Sequence, residues 1–283
     1  MKDLFFESSF ASENKFHWDF IREFKDKNKW EQLAKQYDDF LNITLTNKNK
    51  NNKIPKIIHQ IWIGPRPLPN KYKKWMKSWK SLNKSWEYKL WTNNDIKDMN
   101  LINQKIFEES SNIGFRSDIL RYEILYKYGG LYIDTDLECI KQIPQEFCYY
   151  DFISCIVFKN TPQIANGAIF AKPNSFLISK IINNISMPED QSSALDILKS
   201  SGADLLTDEY FKLKKEDKEK CLILPSNYFY PWPNFLIFLK TDIKEFTNEK
   251  SIGIHYWEVS WMRGNLLKRL FLKLRLLLKN LNN

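Results

Sequence analysis

At 283 residues the chain can close one substantial hydrophobic core and is too short to need several. Its 43% hydrophobic, 15% aromatic and 27% charged residues exclude a disordered chain. A net charge of +9 favours anionic partners such as nucleotide diphosphates or acidic lipid, and with no zinc-finger spacing, Arg-rich arm or tandem aromatic RNA-binding motif, no nucleic acid partner is expected.

The first residues, Met1 to Phe6, meet Glu7 before a signal-length apolar run forms, and no apolar run of about 18 residues follows, so neither a leader nor a spanning helix is expected. Phe16, Trp18, Phe20, Ile21, Phe24, Trp30, Leu33, Tyr37 and Leu41 recur at three- and four-residue steps and predict one or two helices. The polar run 47–53 reads as a linker, which sets residues 1–52 apart from a main domain over 53–263. Ile57 to Ile63, stopped by Gly64-Pro65, is almost continuously apolar, the pattern of a parallel strand buried on both faces; His59 and Gln60 point to opposite sides of it. Pro69 to Leu82 follows as a helix and Tyr88 to Trp91 as a strand, an alternation that signals an α/β fold. Gly114 to Tyr128 is a helix broken by Gly129-Gly130, and Leu131-Tyr132-Ile133 is a strand running into Asp134-Thr135-Asp136. Strands are expected at 153–158 and 164–170, helices near 174–185 and 190–200, and a surface hairpin or loop over the charged run 212–220. Cys139, Cys148, Cys155 and Cys221 lack C-x-x-C spacing and nearby histidines, which points to reduced thiols.

Open α/β sheets bind ligands beyond the carboxyl ends of their strands, where Asp134 and Asp136 stand. Hard carboxylate oxygens there suit magnesium or manganese bridging phosphates. A solvated Asp-Thr-Asp turn is the alternative. On the preceding helix Asp118 and Arg121 form an i,i+3 pair, either a surface ion pair or, if the helix packs beside the strand end, a carboxylate for a sugar hydroxyl and a guanidinium for diphosphate.

The run from Gly114 to Asp136, with its Arg116-Ser117-Asp118, Arg121-Tyr122, Gly129-Gly130 and Asp134-Thr135-Asp136, resembles the glycosyltransferase family with a DXD sugar-binding region. That family includes fungal mannosyltransferases and bacterial capsule and lipopolysaccharide transferases, with the glucosylating domain of large clostridial toxins as a distant relative. The likeness covers about residues 54 to 263. It implies a single-domain, Rossmann-like nucleotide-diphospho-sugar transferase fold of the GT-A type, and transfer with retention of the donor's anomeric configuration. It implies Asp118, Arg121, Asp134 and Asp136 as the catalytic set, with Asp134 orienting ribose and sugar and Asp136 on a Mn2+ or Mg2+ ion bound to both phosphates. A uridine diphosphate sugar is favoured over a guanosine one.

By the same resemblance Trp62, near the end of the first strand, supports the nucleotide base, with a core tryptophan as the other reading. Asn166, before Gly167, approaches the sugar, unless the pair is an ordinary bulge. His255 ligates the metal or touches the diphosphate, or is a satisfied buried histidine, and Trp257 or Trp261 covers the donor in a closing loop. Ser201-Gly202 departs from the Gly-Pro pair of many relatives. No nucleophile is identified, and Glu189 and Asp190 are left outside the site.

The expected acceptor is a bacterial surface polysaccharide or a lipid-linked saccharide precursor; the alternatives are a toxin-like protein glucosyltransferase and a catalytically silent carbohydrate-binding relative. Over 264–283, Leu266, Leu267, Leu270, Phe271, Leu274, Leu277, Leu278 and Leu281 form an apolar stripe opposite Lys268, Arg269, Lys273, Arg275 and Lys279. This basic amphipathic C-terminal helix is expected to lie on an anionic membrane surface, which makes the protein cytoplasmic and peripheral on the inner face; docking on the body or on another subunit is the other reading.

Overall fold

The computed structural model describes residues 27–44, 51–157, 162–232 and 242–258. Helix α1 (Lys27–Thr44) presents Trp30, Leu33, Tyr37 and Phe40 on one face, and all four are buried in the main core. Strand β1 (Ile57–Ile61) is followed by α2 (Asn70–Leu82) and β2 (Glu87–Trp91), a right-sized crossover for two parallel strands. Tyr72, Trp75, Met76 and Trp79 form the buried stripe of α2. Short helices α3 (Asn93–Ile96) and α4 (Gln104–Glu109) lead to α5 (Ile113–Tyr128), where Asn112 caps the start by accepting the Phe115 N–H at 3.0 Å.

The glycine pair ends α5 for a steric reason. Gly129 and Gly130 have φ of 64° and 104°. A side chain on Gly129 would meet Pro173 at 2.6 Å, and one on Gly130 would overlap the Ile57 carbonyl oxygen of β1. The chain therefore turns tightly into β3 (Gly130–Ile133), beside β1 and parallel to it.

After β4 (Leu137–Cys139) come β5 (Phe152–Cys155), β6 (Ala168–Ala171), α6 (Phe176–Asn184), α7 (Ala194–Ser200), α8 (Ala203–Phe211), α9 (Lys215–Lys218), β7 (Cys221–Leu224) and β8 (Gly253–His255). The main sheet has the order β2-β1-β3-β6-β5-β7, and only β6 runs against the other five. A second, two-stranded antiparallel sheet pairs β4 with β8. Helix α1 covers β7: the Gln36 amide donates to the Cys221 carbonyl at 2.6 Å, and its oxygen accepts the Ile223 N–H at 3.2 Å. One side chain thus occupies edge groups that would otherwise be open to another strand.

Several local expectations need correction. The strand expected at 153–158 is shorter, Phe152–Cys155, and that expected at 164–170 begins as one bridge between Ile164 and Ile156 and becomes regular only at Ala168. Between the bridge and the strand, the Asn166 carbonyl accepts from Arg121 and the Gly167 carbonyl from the Asp134 N–H. The charged run 212–220, expected as a surface hairpin or loop, contains a helical turn, α9, with no buried residue. Helix 190–200 starts only at Ala194, capped by Ser193 accepting the Asp196 N–H.

Candidate functional site

Asp134 and Asp136 stand at the passage from β3 to β4. The Asp134 N–H donates to the Gly167 carbonyl at 2.8 Å, and its own carbonyl accepts the Gln60 amide at 3.0 Å, so the first aspartate is fastened to strand β1 and to the turn before β6. Tyr132 precedes it by two residues and so shares its strand face. The Tyr132 hydroxyl donates to Asp134 Oδ1 at 2.7 Å. His59, on the other side of β1, completes the scaffold: its Nε2 bonds the Gly129 carbonyl at 2.8 Å while Nδ1 accepts the Trp91 indole N–H at 3.1 Å. Burial therefore holds this imidazole neutral, down at about 4.

Helix α5 supplies the cationic wall. Asp118 and Arg121 are both buried, and Arg121 Nη2 lies 2.9 Å from Asp118 Oδ1. Nη1 donates to the Asn166 carbonyl at 2.6 Å and lies 3.5 Å from Asp134 Oδ1, while the guanidinium covers the Tyr132 ring at 4.5 Å. Asp118 also accepts from the Asn166 amide at 3.0 Å and the Ser201 hydroxyl at 2.8 Å. Burial pushes its carboxyl up to about 6, against the pull of Arg121 and of the Ser201 and Asn166 bonds. With both oxygens already engaged, Asp118 orients Arg121 and Asn166 in this conformation, and a sugar hydroxyl would have to displace one of those bonds.

The third wall comes from far along the chain. In the β4–β8 pair Leu137 is opposite His255, and the Tyr256 N–H donates to the Asp136 carbonyl at 3.0 Å. His255 Nε2 is thereby brought to 3.3 Å from Asp136 Oδ1 and 3.6 Å from Asp134 Oδ2. Each aspartate keeps its other oxygen anchored: Tyr132 and Arg121 hold Asp134 Oδ1, and the Glu258 N–H donates to Asp136 Oδ2 at 2.7 Å. Burial would raise the Asp134 carboxyl, but Arg121 and His255 outweigh it and hold it below the usual carboxylate range. Burial alone would lower His255, but the Asp136 and Asp134 carboxylates push it up to about 9.

Two inward carboxylate oxygens and an imidazole, all within 4.8 Å of one another, form a donor set that fits a hard divalent ion. The fit is complete for Asp134 and Asp136. In the neutral ring His255 accepts the Trp257 N–H at Nδ1, 3.2 Å away, and its one proton is on Nε2, facing the carboxylates that favour a proton there. Here the N–H stands where a cation's charge would act; ligation through Nε2 requires that proton to move to Nδ1 and the Trp257 N–H to turn away. Trp257 has a left-handed φ of 55°, a conformation that costs a bulky residue energy and is held by its indole donating to the Trp232 carbonyl at 2.7 Å.

The remaining expected residues fall as follows. Asn166 joins the cluster through Asp118 and Arg121. Trp62 is half-buried beyond the end of β1, its ring 5.2 Å from that of Tyr72 and its indole donating to the Arg66 carbonyl at 2.8 Å. Trp257 packs at 4.5 Å across His255. Trp261 and the segment 264–283 lie outside the described residues, as does the expected helix before Lys27. Asp190 is exposed and its carboxylate accepts from the Ser192 N–H and hydroxyl in its own turn, while Glu189 is exposed. Tyr132, Ser201 and Glu258 were not expected: the two-residue strand period could have placed Tyr132 beside Asp134, but nothing local in sequence signals Ser201 or the Glu258 N–H.

A family model described as the glycosyltransferase sugar-binding region containing a DXD motif matches residues 69–153. An uncharacterized glycosyltransferase of Acanthamoeba polyphaga mimivirus is 26% identical over 63% of this chain and 73% of its own. Inositol phosphoceramide mannosyltransferase 3 of Schizosaccharomyces pombe is 33% identical over 48% of this chain, a match spanning only 38% of that protein. Among solved structures, the catalytic domain of alpha-toxin from Clostridium novyi covers 91% of this chain, with 94% of its own covered, at 12% identity and a TM-score of 0.51, a likeness of fold alone.

Proposed function

We propose that this chain, a glycosyltransferase carrying the DXD-containing sugar-binding region on a GT-A-type α/β fold, moves a hexose or N-acetylhexosamine from a nucleotide diphosphate sugar with retention at the anomeric carbon. The observation that carries this reading is the convergence of Asp134 Oδ2 and Asp136 Oδ1 on one point, each with its second oxygen already fastened. Asp134 and Asp136 would hold Mn2+ or Mg2+, which supplies Lewis-acid stabilisation of the departing diphosphate. Arg121 adds a fixed positive charge beside Asp134, Asn166 and Asp118 set the sugar side, and Trp62 offers a face to the base, uridine being favoured. In the retaining route the acceptor attacks on the side the diphosphate leaves, so a phosphate oxygen takes the acceptor proton and the protein contributes position and charge.

The acceptor in this reading is a saccharide on a surface polysaccharide or a lipid-linked precursor. The lipid-linked form is favoured by three fungal relatives named for mannosyl transfer to inositol phosphoceramide. The basic amphipathic segment 264–283 would hold the enzyme on the inner face of an anionic membrane beside such an acceptor.

The test is metal-dependent hydrolysis of a panel of uridine and guanosine diphosphate sugars. Wild-type turnover should need Mn2+ or Mg2+ and vanish with chelator. Asp136→Asn keeps the Glu258 bond and should fold normally, yet lose about a hundredfold or more in turnover. Near-normal turnover of that variant at saturating manganese overturns the assignment.

A further inference from the structure

Tyr230 is 5% exposed, and its hydroxyl has no hydrogen-bond partner among the described residues. The hydroxyl is not one of the fully buried unpaired polar atoms, so it is open to a ligand or to water. The ring is firmly placed: it lies 5.0 Å from His255 and 5.3 Å from Trp257, and the Tyr230 N–H donates to the Ser226 carbonyl at 2.7 Å. Gly167 locates the hydroxyl. A Cβ on that glycine would have both Tyr230 Oη and Asp134 Oδ2 within 2.7 Å, so the phenol and the inward oxygen of Asp134 lie against the same bare stretch of backbone. The absent side chain at 167 leaves room for both.

Building on the nucleotide-sugar reading, we propose that the Tyr230 hydroxyl is a further donor of the site and gives its hydrogen bond to a diphosphate oxygen of the bound nucleotide. Asp134 Oδ2 is the oxygen that faces the cation position, and the ligand atoms that share a divalent ion with such a carboxylate are phosphate oxygens. A tyrosine phenol ordinarily keeps its proton up to about pH 10, so the group is a donor at physiological pH. As negative charge grows on the departing diphosphate, a preplaced neutral donor gains strength without reorganising.

The experiment compares full-length wild type and Tyr230→Phe for calorimetric binding of uridine diphosphate with Mn2+, for Mn2+ alone by electron paramagnetic resonance, and for thermal unfolding. Phenylalanine keeps the ring contacts, so the melting temperature should not fall. Mn2+ alone should bind both proteins equally, and uridine diphosphate with Mn2+ should bind the variant about tenfold more weakly. Equal nucleotide affinity in the two proteins overturns the inference and leaves the function standing. Weaker Mn2+ binding in the variant also overturns it, by showing that Tyr230 acts through Asp134. Failure of the wild type to bind any uridine or guanosine diphosphate with Mn2+ overturns the functional reading on which the inference rests.

Discussion

Replacing Arg121 by methionine would test whether the site is a buried charge network or a set of separable surface groups. The substitution keeps the aliphatic stem and removes the guanidinium, which leaves Asp118 buried with only neutral partners, Ser201 and Asn166. Removing one partner of a buried ion pair costs about 3–5 kcal/mol, because the other charge stays desolvated. The side chains of Arg121 and Asp118 are only 7% and 8% exposed, so solvent screening does little to reduce this. The cost should depend on pH. Asp118 already titrates at about 6 in the fold against an ordinary 3.8, and without Arg121 its value rises further. The folded state then retains a proton that the unfolded state releases, so stability rises as pH falls, and the variant's deficit shrinks. Guanidinium unfolding followed by tryptophan fluorescence at pH 7.5 and pH 5 should show the full deficit at the higher pH and a clearly smaller one at the lower. Adding Asp118→Asn should recover part of the loss at pH 7.5. A deficit under about 1 kcal/mol at pH 7.5, or the same deficit at both values, would refute the buried-network argument.

His59 is held neutral at about 4 instead of 6.5, so its contribution is present above pH 6.5 and lost as pH falls to 4, about 3 kcal/mol in all; His59→Gln should flatten that part of the stability–pH curve, and parallel curves would contradict the assignment. Gly167→Ala forces a methyl group against Asp134 Oδ2 and Tyr230 Oη, so turnover should drop by about tenfold or more even where the melt shows a folded protein; unchanged turnover would mean that the turn yields freely. Trp62→Ala should weaken nucleotide binding more than the chemical step, by about 1–3 kcal/mol for a stacked base, and should leave stability almost intact because the ring is only half-buried; a lower melting temperature with unaltered donor affinity would make it a packing residue.

Much of the site's chemistry was legible from the chain alone because it is local. Asp118 and Arg121 are one helical turn apart, and Asp134 and Asp136 follow a strand, so helix period and strand exit put the members of each pair beside each other, while the family resemblance was needed to join the two pairs in one site. The glycine pair was likewise readable as a break, and the structure adds the reason: the Ile57 carbonyl and Pro173 leave no room for a side chain. The alternating strands and helices through Ile133 required the α/β class, since each crossover returns the chain to a parallel neighbour. What the sequence could not decide is where residues meet when their pairing spans about eighty positions or more. The β4–β8 register brings His255 and the Glu258 N–H to Asp136, Ser201 reaches Asp118 across 83 residues, and Gln36 seals β7 from a helix that the polar run 47–53 had suggested lay apart. Each of these contacts is made by short, ordinary side chains or by backbone groups whose neighbours in sequence carry no trace of the partner. They exist only because sheet registry and core packing leave one place for each strand, and that place is a property of the folded chain.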